Sequence, residues 1–313
     1  MNAPPALFLI TNCTASKRNC GGQKLSCGDF PGKPVRKFEQ WWRAWTSAKP
    51  TIPAIELYKG VAWCHARRAF EAFLGKEKTT EFWVVSAGLG LIPCDLPIPD
   101  YSATFAFGDP DSVGQSTAGN REWWDWLSTK RAGEGGVGSI KQLAERHPDS
   151  RFLIGLSAAY LRALLPDLVE AKNRLSDPDH LIVVCAGAGK VPELGDSVLP
   201  MDARFENKFG GTRTALNARM LVHIAESFRI DGLSASGVGA SLSNEASELQ
   251  PPRRYQRRKL DDAAIMEIIQ RGIKAESQLS ASQLLKQLRD SGLACEQKRF
   301  GRLFRNTITS TQR

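Results

Sequence analysis

No run in this 313-residue chain approaches the roughly 18 to 20 apolar residues that a bilayer-spanning helix needs, so the sequence argues against a helical membrane protein. Histidine is scarce at four, and the seven cysteines include no CxxC pair; Cys13, Cys20 and Cys27 recur every seven residues instead. That spacing argues against structural zinc. The odd cysteine count, with Cys64, Cys185 and Cys295 in strand-like or loop contexts, argues against a disulfide framework. A complete P-loop is missing, as is a dinucleotide glycine fingerprint, so the sequence assigns no cofactor and no metal. The opening MNAPPALFLITNCTASKR is apolar for only about six residues and shows neither a basic leader nor a cleavage site, so a cytoplasmic location is expected.

What the chain does have is enough apolar content, 42%, to build a sizeable core, and a charge that is unevenly spread. Residues 250–313 hold 14 of the 42 basic and 6 of the 33 acidic residues, a net +8 of the total +9. A near-neutral body with a cationic appendage points to a polyanion, and double-stranded DNA is the expected partner.

Four short segments are too apolar for half-exposed strands: Ala6 to Ile10, Phe82 to Val85, Arg151 to Leu156 and His180 to Ala186. They read as strands buried on both faces, the mark of a mostly parallel sheet flanked by helices, and so of an α/β fold. Ligands in such folds bind beyond the carboxyl ends of the strands. The first strand runs into Thr11-Asn12-Cys13-Thr14-Ala15-Ser16-Lys17-Arg18, which offers hydroxyls, an amide and cations. The second breaks at Ser86-Ala87-Gly88-Leu89-Gly90, where glycine permits close approach to a ligand. Pro93, Pro97 and Pro99 then stiffen a connection that delivers Asp100 and Tyr101 to the same rim. The third strand leads through Ser157 into a helix. The fourth meets Gly187-Ala188-Gly189-Lys190, a truncated phosphate loop in which no Ser or Thr follows the lysine, read as a tight turn.

Further along, Asp202 lies in Leu199-Pro200-Met201-Asp202, and Gly211-Thr212-Arg213 opens a helix carrying Asn217 and Arg219. Free amides and a positive dipole at that mouth make an anion seat. Phe38, Trp41, Trp42 and Trp45 share one face of a helix over 35–48, where core packing is favoured over base stacking. Residues 103–119 form a loop long enough for a lid.

The expected domains are an α/β body over 1–232, a flexible basic linker over 233–259, and a small helical domain over 260–313. The last shows three short helices, with a wing strand expected at Asn306 to Thr311, a helix-turn-helix or winged-helix pattern. Its expected DNA contacts are Arg253, Arg254, Arg257 and Arg258 in the linker, then Lys298, Arg299, Arg302 and Arg305 on the third helix.

On these residues the first 230 or so positions resemble an uncharacterised bacterial family akin to the peroxide-stress YaaA proteins. The resemblance rests on Thr11 to Lys17, on Leu57-Tyr58-Lys59-Gly60, and on Ser86 to Leu91 followed by Asp100-Tyr101. It implies modified-base chemistry or DNA protection. The layout is also similar to the uracil-DNA glycosylase superfamily and to defence glycosylases that remove hypermodified bases from phage DNA. That likeness implies a water-positioning role for Asn12, although the flanking Gly and Pro and the His-Pro-Ser loop of the superfamily are absent, and Ser157 lies only roughly where that loop would be.

The expected function is therefore hydrolysis of the N-glycosidic bond of a modified base. Asn12 would hold water, Asp100 or Asp202 would supply negative charge, and Tyr58 or Tyr101 would stack on the flipped ring. Lys17, Arg213 and Arg219 would grip phosphates, with Thr14, Ser86, Gly88, Ser157, Gly211, Thr212 and Asn217 lining the substrate site. Asn12 and Asp100 are expected to share one cavity. The rival readings are a non-catalytic DNA-binding regulator and a deazaguanine-type RNA or DNA modification enzyme.

Overall fold

The computed structural model describes residues 7–19, 24–50, 52–75, 80–251, 257–276 and 279–311. Contacts divide the chain into two compact units, residues 1–251 and 252–313.

The first unit is built on five strands: β1 (Leu7–Asn12), β2 (Thr80–Ser86), β3 (Gly90–Pro93), β4 (Arg151–Gly155) and β5 (Leu181–Val184). Their spatial order is β3-β2-β1-β4-β5, with every pair parallel except β2 with β3. The four expected strands are these parallel ones, with β1 at the centre of the sheet and β2 an interior strand beside it. The run Leu7 to Ile10 is fully buried because helices cover both faces. Its helices are α1 (Pro34–Ser47), α2 (Ala54–Leu57), α3 (Val61–Leu74), α4 (Thr117–Gly133), α5 (Ile140–Arg146), α6 (Ala158–Arg174), α7 (Arg204–Phe209), α8 (Leu216–Ser227) and α9 (Ala235–Glu248). Helix α3 packs on α8, and α8 lies so close to β4 that a Cβ at Gly155 would sit 2.7 Å from Leu221 Cδ1. The opposite face carries α5 and α6, where His147 reaches the Phe8 ring at 5.1 Å.

The tryptophan face of α1 is core: Phe38, Trp41, Trp42 and Trp45 are at most 9% exposed. The lid reading of residues 103–119 does not hold. Phe105 is fully buried, Asn120 Nδ2 donates to its carbonyl at 3.0 Å, and Thr104 bridges Ser112, so the loop is fastened down. Nor is 233–249 a flexible linker. Ser234 caps α9 by accepting from the Gly237 amide at 3.1 Å, and Val238, Leu242 and Ala246 bury one side of the helix. The small residues that suggested flexibility let that side seat closely, and the break between units falls at Pro251.

The second unit contains α10 (Asp262–Ala275), α11 (Ala281–Asp290) and α12 (Gln297–Thr311) around Ile265, Ile269, Leu284, Leu288, Phe300 and Leu303. The three short helices expected here are present, with α11 opened by a capping box between Ser280 and Gln283 and followed by the left-handed Gly292, φ +79°. The wing strand expected at 306–311 is instead the end of α12. Phe300, Leu303, Phe304 and Thr307 continue a helical stripe, and the Thr307 hydroxyl is absorbed by donating to the Leu303 carbonyl at 2.8 Å. A two-residue parallel ladder pairs Arg258–Lys259 with Leu293–Ala294.

Candidate functional site

The loop after β1 does not hang free. It lies antiparallel against residues 57–60, with Arg18 N donating to Leu57 O at 2.7 Å and Lys59 N to Ser16 O at 2.9 Å. The Thr14 hydroxyl adds a bond to Lys59 O at 2.9 Å. This places Lys17 opposite Tyr58 across a bridge. On the other side, Leu25–Ser26 pairs in parallel with Tyr101–Ser102, which fixes the proline-stiffened connection at the same rim. Three sequence segments far apart in the chain thus meet at one point.

At that point the Tyr58 and Tyr101 hydroxyls are 2.6 Å apart, and Tyr101 Oη is 2.5 Å from Ser86 Oγ. Burial pushes both phenols well above their ordinary pKa, so they act as neutral hydroxyls. Above them, Lys17 Nζ sits 4.4 Å from the Tyr101 ring centre and 5.5 Å from that of Tyr58, and donates to Thr14 O at 3.1 Å. Burial lowers the Lys17 pKa against the opposing pull of Cys13 and Asp100. The Asp100 carboxylate acts on this amine electrostatically, and its buried Oδ1 has no hydrogen-bond partner among the described residues. Cys13 Sγ lies 3.2 Å from Tyr160 Oη, and Phe105 meets the Tyr160 ring edge-on at 5.0 Å. Asp111 ties the roof down, accepting from Ser26 Oγ and from the Gly28 amide at 3.0 Å. Burial raises its pKa, but these bonds outweigh that and hold it below the ordinary value.

Not all sequence candidates reach a ligand-facing position. Gly88 is required by packing: a Cβ there would lie 2.8 Å from Trp41 Cζ2 and 2.9 Å from the Tyr101 ring. Its carbonyl takes the Trp41 indole N–H at 2.7 Å, while Ser86 Oγ accepts from the Gly88 and Leu89 amides at 3.1 and 3.0 Å. The loop amides that the sequence offered to a ligand are therefore spent on its own turn.

Asn12 belongs to a neighbouring group. Its Oδ1 accepts from the Ser157 amide at 2.9 Å and its Nδ2 donates to Cys13 O at 2.9 Å, tying the end of β1 to the start of α6. A cavity of about 60 Å³ with a mixed lining lies here, bounded by Thr11, Asn12, Thr14, Ser157 and Asn217 and by Trp63. It occupies the switch point of the sheet, since the chain leaves β1 for β2 on one side and β4 pairs on the other. Asn217 makes the matching tie, accepting from Ala186 N and donating to Leu156 O, both at 2.7 Å. Asp100 does not line this cavity, so the shared cavity expected for Asn12 and Asp100 is not found there: the carboxylate is with Lys17, one loop away.

The anion seat at α8 is likewise mostly engaged. Arg219 is 8% exposed and donates to Thr212 O at 2.7 Å, and a Cβ at Gly211, φ +70°, would clash with its guanidinium. Arg213 pairs with Glu206 at 3.1 Å. Asp202 Oδ1 accepts from the Arg204 amide at 2.8 Å and lies 3.7 Å from the Arg204 guanidinium just before α7, so its carboxylate serves local structure. Cys13, Asp111 and Tyr160 were not among the sequence candidates. Cys13 sits inside the β1 motif and Tyr160 three residues after Ser157, but nothing in the sequence alone brings them together.

In the C-terminal unit, Arg299 binds Asp262 at 2.5 and 2.7 Å and donates to Leu260 O at 3.1 Å, and Arg302 is 3.7 Å from Asp262. These two residues fasten α12 to α10, which corrects the reading of Arg299 as an outward DNA contact. Arg305 lines a groove of about 450 Å³ with Ser282, Leu285, Gln297 and Phe300. Arg257 lines a second of about 300 Å³ with Lys286 and Arg289, sharing Ser282, Leu285 and Gln297 with the first. Arg258 is exposed on the two-residue ladder. Lys298 belongs to α12, and Arg253 and Arg254 lie outside the described residues.

Among the described residues no group of three or more His, Cys, Asp and Glu is placed to hold a metal ion, and no helix is long and apolar enough to cross a membrane. Comparison with protein-family models, with curated proteins and with solved structures found no match.

Proposed function

We propose that the α/β unit cleaves the N-glycosidic bond of a modified base in DNA and that the C-terminal helical unit, a helix-turn-helix-type module, supplies duplex affinity. The observation that carries this reading is the Lys17 amine, set over the Tyr58 and Tyr101 rings, disfavoured as a cation by burial and within the electrostatic reach of the Asp100 carboxylate with its unpartnered Oδ1. An uncharged amine is a nucleophile, and a carboxylate stabilises positive charge developing on a sugar. Lys17 Nζ would attack C1′ of the flipped nucleotide as the C1′–N bond breaks. The base leaves with that electron pair and takes a proton from solvent. Loss of a proton from nitrogen and opening of the sugar ring then give an imine, which water hydrolyses to release the abasic sugar and the free amine. Asn12 acts here as a positioning residue that fixes the loop carrying Lys17.

The test is incubation with phage genomes bearing different base modifications, with mass spectrometry of released bases and borohydride trapping of the imine. Wild-type protein should release one base class and become covalently attached to DNA, whereas Lys17→Ala and Asp100→Asn should do neither while binding duplex within a few fold. Duplex binding without release from any substrate would instead favour the non-catalytic DNA-binding reading.

A further inference from the structure

A cavity of about 750 Å³ lies away from Lys17, beyond the carboxyl end of the edge strand β5. That volume falls within the range of small-molecule sites, and the place is where open α/β sheets bind ligands. Its floor is apolar, from Val198, Leu199 and Met201. Its rim carries Lys190 from the turn after β5, Arg213 from the loop before α8, which also pairs with Glu206 at 3.1 Å, and the carboxylate of Asp196.

The turn itself has the geometry of an anion cradle. Gly187 and Gly189 both take left-handed backbone, φ +79° and +71°, and the Ala188 amide between them closes the turn by donating to Cys185 O at 3.3 Å. Among the described residues the amides of Gly187, Gly189 and Lys190 donate to no acceptor, whereas the preceding Ala186 amide is held by Asn217 Oδ1 at 2.7 Å. The segment is thus anchored at its start and presents open donors beyond it. No Cβ contact within 4 Å constrains either glycine, so packing does not explain them.

We infer that this cavity binds a phosphorylated ligand of nucleoside monophosphate size, with the phosphate on the Gly187–Lys190 turn between Lys190 and Arg213, and the apolar body on Val198 and Met201. The inference stands apart from the glycosidic reading, because the pocket shares no residue with the Lys17 group.

Isothermal titration of the full chain with adenosine and thymidine 5′-monophosphates, inorganic phosphate and a 5′-phosphorylated oligonucleotide tests it. Saturable binding of at least one nucleoside monophosphate is expected, tighter than inorganic phosphate. The affinity should fall about tenfold in Lys190→Ala and in Arg213→Ala, each losing roughly one charge-assisted contact. Lys17→Ala should bind normally, which separates failure here from failure of the proposed activity. Binding of the oligonucleotide with no binding of either free nucleotide would overturn the assignment of a mononucleotide-sized ligand. Lack of saturable binding by every probe, or equal affinity in the wild type and both variants, overturns the inference. Both substituted residues are exposed, and matching thermal melts would show that the variants fold.

Discussion

Tyr58 and Tyr101, 43 residues apart in sequence, join their hydroxyls at 2.6 Å, with Lys17 Nζ over both rings. The contact fastens the segment after α2 to the segment after the proline-rich connection, and Ser86 extends it to the end of β2. Buried hydroxyls in such a chain lose more when one partner is removed than the bond itself contributes, because the remaining group is left dry and unpaired.

Tyr101→Phe should therefore lower stability by about 1 to 3 kcal/mol, visible as a drop of several degrees in the melting temperature. A double-mutant cycle of Tyr58→Phe with Tyr101→Phe should show coupling of about 0.5 kcal/mol or more. Strict additivity would mean that the two hydroxyls do not interact.

Lys17 sets a pH dependence. Burial holds its pKa below the ordinary 10.5, so the uncharged amine reaches half occupancy below that pH. Single-turnover base release should rise about tenfold per pH unit and then level off before pH 10.5, and this limb should vanish in Lys17→Ala. The sign for stability is the same. Between the folded and unfolded pKa values the unfolded chain binds more protons, so stability also increases with pH across that window.

Asp167 is 4% exposed and accepts from Ile140 N and Lys141 N at 3.0 Å and from Trp124 Nε1 at 3.1 Å. It holds the start of α5 and the α4 tryptophan to α6. Asp167→Ala leaves three donors buried without an acceptor and should cost about 3 kcal/mol or more in denaturant unfolding. Burial raises the Asp167 pKa despite those bonds, so its contribution to stability is greatest at acid pH and declines as pH rises through the folded value.

The basic residues of the C-terminal unit should separate into two classes. Arg299→Ala, which breaks the tie to Asp262, should lower the melting temperature of this unit. If the unit binds duplex as proposed, Lys286→Ala, on the α11 side of its groove, should leave folding intact, and both it and Arg305→Ala should weaken that binding evenly across sequences. Each should reduce the slope of log K against log salt by about one, as measured by fluorescence anisotropy. An unchanged slope in both would remove these grooves from the nucleic-acid surface.

The amino-acid sequence by itself determined the parallel strands, because segments such as Leu7 to Ile10 are apolar without alternation and only burial on both faces accommodates that. It determined the ends of α11 too, where Ser280 and Gly292 act through local backbone geometry. It also named Lys17, Tyr58, Ser86, Asp100 and Tyr101, since short polar motifs beside buried strands are visible in one dimension. Tertiary structure alone decided what each of them does. Whether the Ser86 to Gly90 amides face a ligand or their own turn, and whether Asn12 greets a solute or ties β1 to α6, depends on partners from distant segments. The same holds for α9 and the end of α12, where small and β-branched residues misread as linker and wing are helical because each helix has an apolar face to bury. Local preference is worth tenths of a kcal/mol per residue, and such burial exceeds it.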